Sequence, residues 1–214
     1  MRCAVPAVLI LFSFAVPAAA QQKDPLPIFA ADLRGLFARH KTDPSVAQAL
    51  GVEQGNLPTH SFGLIGGGEV YVLRGKKIAL GAGATLLVAG GSKTLDVTGT
   101  GGTVTQSPTV QRHFRSIVPE MSLNFGHRQG WSYIMAGFLG QSRLYVDRKD
   151  APASDAPQRK TLTYGAGAKW FTNNHIAFAV DIRWYSVAEM PAGTTIVAEP
   201  KTTLMVLSGG IAIK

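Results

Sequence analysis

Seven ionised residues stand where an alternating chain would turn them away from its apolar neighbours: Asp32, Arg34, Glu69, Glu120, Lys169, Asp181 and Arg183. Four are acidic and three basic. Buried carboxylates without partners are prohibitively costly, so the first chemistry this set supports is mutual neutralisation, an ion-pair network that fixes strand register. A narrow ion path or a binding site is the alternative use of the same residues.

Other groupings are sparse. Gly90-Gly91 followed by Ser92-Lys93-Thr94 has some look of a phosphate loop, but the spacing GxxxxGK[ST] is not met and the glycines suit a strand end. His40, His60, His113, His127 and His175 fall mostly at turns and strand ends, without HExxH or another metal-ligand spacing. His113, Ser116 and Glu120 form the one local set offering a nucleophile, a base and a carboxylate. On a strand that spacing separates them, because Ser116 and Glu120 share one face and His113 takes the other. No enzymatic activity, cofactor or metal is expected.

The element that must position the charges is clearest from Thr161 to Val187. In its second arm Ile176, Phe178, Val180, Ile182 and Trp184 alternate with Ala177, Ala179, Asp181, Arg183 and Tyr185. In its first arm Leu162, Tyr164, Ala166, Ala168 and Trp170 alternate with Thr163, Gly165, Gly167 and Lys169. A period of two is a strand signature, and Thr172-Asn173-Asn174 supplies the tight turn, since asparagine tolerates left-handed backbone. The hairpin fits a soluble sandwich with its apolar face inward, or a membrane barrel with that face outward and the small, sparsely charged face in the lumen.

Composition favours the barrel. The 214 residues are 46% apolar, include 24 glycines, and are only 16% charged, against roughly 25% in soluble domains. Arg2, the apolar run Ala4 to Val16 and Ala18-Ala19-Ala20 read as a secretory leader with an A-x-A cleavage site. The expected organisation is a leader over 1–20, a short segment over 21–26 and one β-barrel domain over 27–214. Cys3 lies within the leader, so no disulfide or thiol chemistry is expected of the mature chain. Beyond the leader no run of 18 apolar residues occurs, which excludes spanning helices. The formal net charge of +8, one less without Arg2, suits an anionic surface. Nucleic acid is not an expected partner, because no basic, aromatic-interleaved stripe is present.

Alternating segments continue along the chain. Pro27 to Arg39 fits a helix or a strand; His60 to Leu73 and Ile78 to Val88 flank the basic turn Arg74-Gly75-Lys76-Lys77. Val110 to Phe125 sets Ile117, Met121, Leu123 and Phe125 against Ser116, Glu120, Ser122 and Asn124. After a turn at Gly126 to Gly130, Trp131, Tyr133, Met135 and Leu139 are set against Ser132, Ala136, Gly140 and Ser142, with the aromatic face outward. Thr203 to Lys214 forms the last segment. If Pro27 to Arg39 is a strand, there are eight, and connections alternate long and short. Outer-membrane barrels have even strand numbers, short periplasmic turns and long external loops, so parity selects the strand. The fold expected is an all-β, eight-stranded antiparallel up-and-down transmembrane barrel with a lumen filled by side chains. Phe125, Trp131, Tyr133, Tyr145, Trp170, Trp184 and Tyr185 lie near strand ends, where they would form interfacial aromatic girdles.

YGAGAKWFTNNHIAFAVDIRWYS, NFGHRQGWSYIMAGFLG and FGLIGGGEVYVLRGKKIALGAGATLLVAGG together resemble the small bacterial outer-membrane β-barrels of OmpA-like and OmpX-like type. The resemblance spans nearly all of the mature chain and implies residence in the outer membrane, contact with its lipid and lipopolysaccharide, and insertion by the barrel assembly machinery. It also implies a monomer acting through its loops, 41–57, 93–109, 149–159 and 188–201, on a ligand left unidentified. Such barrels usually end in an outward aromatic; here the last residues are Ile211-Ala212-Ile213-Lys214. No periplasmic peptidoglycan-binding domain is expected after the last strand. A narrow pore for small or apolar molecules and a soluble periplasmic ligand-binding barrel are the alternatives.

Overall fold

The computed structural model describes residues 28–94, 109–127, 130–149, 156–173, 175–190 and 200–214. The expected leader, the segment 21–26 and Asn174 of the last tight turn lie outside the described residues. Eight strands follow one another: β1 (Phe29–Arg39), β2 (His60–Arg74), β3 (Ile78–Thr94), β4 (Thr109–His127), β5 (Gly130–Arg148), β6 (Arg159–Phe171), β7 (Ile176–Val187) and β8 (Thr202–Ile213). Each pairs antiparallel with its neighbours in sequence, and β8 returns to β1, closing the barrel.

The segment that was ambiguous by periodicity is β1. It pairs with β2 from Phe29↔Val70 to Arg39↔His60, and with β8 from Ala31↔Ile213 to Arg39↔Met205. A helix here would have left two sheet edges open; the strand removes both. The short turns are closed locally. The Gly75 amide donates to the Ile78 carbonyl at 2.8 Å, and the Thr172 amide to the Ile176 carbonyl at 2.9 Å. Asn173 Oδ1 accepts from the amides of His175 and Ile176, both at 2.8 Å, which is an Asx turn.

The two faces of the wall differ as the alternation requires. In β7, Ile176, Phe178 and Val180 are exposed, while Ala177, Ala179, Asp181, Arg183, Tyr185 and Val187 are buried. Leu33, Phe62, Leu86 and Phe178 are each more than half exposed, whereas Asp181 is 5% exposed. Soluble monomers rarely expose contiguous apolar patches beyond a few hundred Å2, so a wall of this kind does not suit water. From Ile78 to Val88 the outward residues of β3 are Ile78, Leu80, Ala82, Ala84, Leu86 and Val88. About ten steps of ~3.3 Å at a tilt near 40° give a belt about 25 Å tall, the height of an outer-membrane barrel's apolar band.

Strands β2 and β5 depart from strict alternation: β2 slips between Tyr71 and Leu73, where Val72 and Leu73 are both exposed, and the slip in β5 reorients aromatic residues. In β5 the register slips between Gly137 and Gly140 against both β4 and β6, and Leu139 has φ 59 and is 87% exposed. This β-bulge inserts one extra residue, which reverses the parity of the strand. Ser142 and Leu144 above it face inward, but so do Trp131, Tyr133 and Met135 below it. The aromatic face of β5 expected outward is therefore the inner one, and Ser132, Ile134 and Ala136 take the outer wall.

Inside, side chains occupy successive levels. Near the short turns Ala30, Tyr71, Ala79, Trp131, Phe171, Ala177, Ala179 and Ala212 form one apolar cluster. Toward the long loops a second gathers Leu36, Ile65, Leu87, Phe114, Val118, Leu144, Tyr185, Leu204 and Val206. The charged residues lie between them. At the mouth the first long connection carries α1 (Pro44–Ala49), N-capped by Asp43, whose Oδ1 accepts from the Ser45 amide at 2.8 Å. Ala47 of α1 and Leu57 pack on Val110 of β4, with Val146 of β5 alongside.

An arginine at Val180, midway up the outer wall, should cost about 2–4 kcal/mol in denaturant unfolding from phospholipid vesicles. A soluble barrel would tolerate it within about 0.5 kcal/mol, and such a small effect would refute the lipid-facing assignment of this wall.

Candidate functional site

The charged layer draws on every strand. Asp181 of β7 is its centre, accepting from Arg34 of β1, from Arg183 Nε at 2.8 Å, from Tyr133 Oη at 3.1 Å and from Ser208 Oγ of β8. Arg34 Nη2 also lies 2.8 Å from Asp32 Oδ1. Arg183 Nη1 reaches Glu120 Oε2 of β4 at 2.9 Å and Thr85 Oγ1 of β3 at 3.2 Å. Beside this group, Lys169 Nζ of β6 lies 3.3 Å from Glu69 Oε2 of β2, and Glu69 Oε1 accepts from Ser122 Oγ and, at 3.2 Å, from Asn124 Nδ2. Lys169 also stands 5.1 Å from the centre of the Tyr133 ring. All seven ionised residues singled out above thus meet in two connected groups.

The inner wall is shaped to hold them. A side chain at Gly167 would come within 2.6 Å of Tyr133 Oη and Asp181 Cβ, so the glycine gives phenol and carboxylate their space. Taking an ion out of water costs several kcal/mol, and only close pairing with the remaining lone pairs satisfied recovers it. Arg34 and Arg183, 1% and 2% exposed, are held on those terms. Their mutual repulsion is screened by the carboxylate between them.

The seven aromatics divide. Phe125 and Trp170 face outward beside the short turns, and Tyr145 and Trp184 face outward toward the long loops. Trp184 stacks on Tyr164, ring centroids 5.6 Å apart, so Tyr164 joins the upper girdle. Trp131, Tyr133 and Tyr185 are corrections: all three are buried in the lumen. The β5 bulge turns Trp131 and Tyr133 inward. Tyr185 shares the parity of Asp181 and packs edge-on against Phe114, 5.5 Å between centroids. Tyr133 is a part of the network that the sequence reading had placed on the outside. Ser208 joins it too, and its one signal was a hydroxyl on the inward parity of β8.

His113 and Ser116 are not brought together. Ser116 Oγ accepts from Ser142 Oγ inside at 2.7 Å, while His113 stacks on Tyr145 outside and lies 3.6 Å from Asp147. At the mouth, just beyond β1, His40 is 4% exposed with Nε2 2.8 Å from Ser61 Oγ. Burial, reinforced by the charge of Arg112 and by His60, pushes its pKa down to about 3. Neutral His40 shares a hydrogen bond with the Ser61 hydroxyl through Nε2, and Nδ1 has no partner among the described residues.

Neither a protein-family model nor a curated protein sequence matches the chain. Solved structures do. Neisserial surface protein A superposes with a TM-score of 0.54 at 12% identity, covering 88% of this chain and 97% of that one. Ail, the attachment invasion locus protein of Yersinia pestis, gives 0.45 at 13%, covering 86% and 98%. OprG of Pseudomonas aeruginosa gives 0.45 at 14%, covering 86% and 94%. The chain has the fold of the small eight-stranded outer-membrane β-barrels. At such identities the likeness concerns the fold alone. The outer-membrane-type barrel here holds its charges in a closed interior.

Removing the shared carboxylate by Asp181→Asn should destabilise the barrel by about 3–5 kcal/mol, because two buried guanidiniums lose their common partner. Adding Arg34→Met should recover part of that loss, a coupling that a double-mutant cycle in vesicles measures; strictly additive costs would refute the shared pairing.

For His40, the unfolded segment titrates near 6.5 and the folded one near 3. The unfolded form therefore binds the extra proton across that window. Stability of the mouth is full above about pH 6.5 and falls by about 1.4 kcal/mol per unit as the pH drops toward 3. Amide protection factors at residues 57–61, which correct for the intrinsic pH dependence of exchange, should fall over that range in wild type and lose the slope in His40→Asn.

Proposed function

We propose that this chain is a monomeric resident of the bacterial outer membrane whose barrel is a filled anchor, and whose work is structural or adhesive, done by the rim and the long external loops. The observation that carries this reading is the interior: paired charges lie between two apolar clusters beneath the packed first loop. A conducting barrel needs a continuous polar path, and each apolar level interrupts one. Loops are where recognition concentrates when the scaffold itself is closed. The loops concerned run over 41–57, 93–109, 149–159 and 188–201, the last three lying largely outside the described residues. Outer-membrane lipid and lipopolysaccharide are the surroundings this reading requires, with insertion by the barrel assembly machinery. An enzymatic role has no support from the one local set considered, since His113 and Ser116 sit on opposite sides of the wall.

The test combines fractionation with conductance. The protein should need detergent for extraction, shift its gel mobility on boiling, and show no steady current steps in planar bilayers. Steps abolished by Glu120→Gln or Arg183→Met would replace this reading with a narrow pore through the charged layer. Extraction without detergent would replace it with a soluble ligand-binding barrel.

A further inference from the structure

At the long-loop edge of the apolar belt, where Arg115 pairs with Val88, β4, β5 and β6 carry Arg115, Arg143 and Lys160, all exposed. Their neighbours Phe114, Ser116, Ser142, Leu144, Arg159 and Thr161 are buried, so the three cations point away from the barrel axis. Arg115 and Arg143 are direct cross-strand partners. Lys160 pairs with Gln141, which sets it diagonal to Arg143 on the same face. Cross-strand partners have Cβ atoms about 5 Å apart, where like charges repel. No carboxylate pairs with any of the three among the described residues.

Toward the belt the outward residues that follow are Ile117 on β4, Gln141 and then Leu139 at the bulge on β5, and Leu162 on β6; Ile117, Leu139 and Leu162 are exposed and apolar. The cations therefore stand at headgroup height in the leaflet facing the long loops, the outer one. Along β4 the same outward face continues through His113 and Gln111 into a cleft of roughly 700 Å3, lined also by His60, Ser92 and Lys93 and by no carboxylate. Repelling guanidiniums, a polar cleft on one side whose neighbouring carboxylate, Asp147, lies against His113, and an apolar wall on the other together define an amphiphilic anion.

We propose that this face binds a phosphate-bearing glycolipid of the outer leaflet. A phosphate sits between Arg115 and Arg143 with Lys160 beside it, the acyl chains lie on Ile117, Leu139 and Leu162, and the sugar turns toward the cleft. Charge-assisted hydrogen bonds from a guanidinium fork suit phosphate oxygens. This rests on the membrane residence and lipopolysaccharide surroundings proposed above and adds the site and the phosphate contact that defines it.

The test uses the full mature chain in phosphatidylcholine vesicles, alone or with bis-phosphorylated lipid A, dephosphorylated lipid A, or inorganic phosphate. The readouts are lipid retained in native mass spectra and the temperature of the gel-mobility shift. Wild type should retain bis-phosphorylated lipid A and gain thermal stability from it. Arg115→Gln/Arg143→Gln should need roughly tenfold more or greater for the same retention, and Arg115→Lys/Arg143→Lys should keep most of it. In pure phosphatidylcholine the glutamine variant should be at least as stable as wild type, since a like-charge pair has gone. Equal retention by wild type and the glutamine variant overturns the site, as does an equal effect of dephosphorylated lipid A or of inorganic phosphate. Failure of wild type to insert into phosphatidylcholine would instead sink the membrane reading, whereas insertion without lipid preference sinks the site alone.

Discussion

A charge enclosed by a wall whose far side is apolar has no water to turn to, and this constraint organises the molecule from within. Asp181 meets it by sitting between Arg34 and Arg183, with Tyr133 and Ser208 filling its remaining acceptor sites. Thr85, Glu120, Glu69 and Lys169 extend the pairing until all eight strands contribute. A slip of one residue in any of these strands would carry its charged or hydroxyl group to the apolar outer face. The network therefore sets register for the whole closed sheet.

The apolar levels above and below the charges serve the same end. Trp131 and Phe171 on one side, Phe114, Tyr185 and Leu204 on the other, flank the layer and lower its access to water. Low local dielectric strengthens each correct pair and raises the cost of each missing one. The same arrangement holds the ions in place, as the proposed structural role requires, whereas a conducting interior would make the opposite demand on these residues.

Much of this was legible in the sequence because a strand exposes its environment at every second residue. The Asp181 and Arg183 face, the apolar Phe178 face, and the turn at Asn173 follow from spacing alone, and even strand parity decides Pro27 to Arg39. What could not be read was the bulge. Phe138-Leu139-Gly140 looks like uninterrupted strand, and the left-handed backbone at Leu139 has no residue-type signature, because leucine seldom adopts it. One inserted residue sufficed to send Trp131 and Tyr133 to the lumen. Tyr185 was misplaced for a different reason: closeness to a strand end suggests an interface, but its parity with Asp181 decides its side. The packing of α1 on Val110 joins residues far apart in sequence, and periodicity carries no information about such contacts.

The distribution of charge has a further consequence. The seven network residues sum to one negative charge, and the buried Arg112 and Arg159 bring the total to one positive, yet the whole chain carries +8, so most of the positive surplus belongs to the outside and the ends. Arg39, Arg115, Arg143 and Lys160 are exposed on the long-loop side of the apolar belt, and Arg74, Lys76 and Lys77 at a short turn. Cations placed there cost little, because long stems let the charged heads reach the headgroup layer while the methylenes cover apolar wall. They also fix the height of the barrel in a bilayer whose surfaces are negative, since moving the wall vertically would drag one set into hydrocarbon. Basic rims and a nearly self-neutralised ion-pair layer are thus two halves of one electrostatic solution: the charges of the layer all but cancel there, and most of those left over mark the boundaries of the lipid.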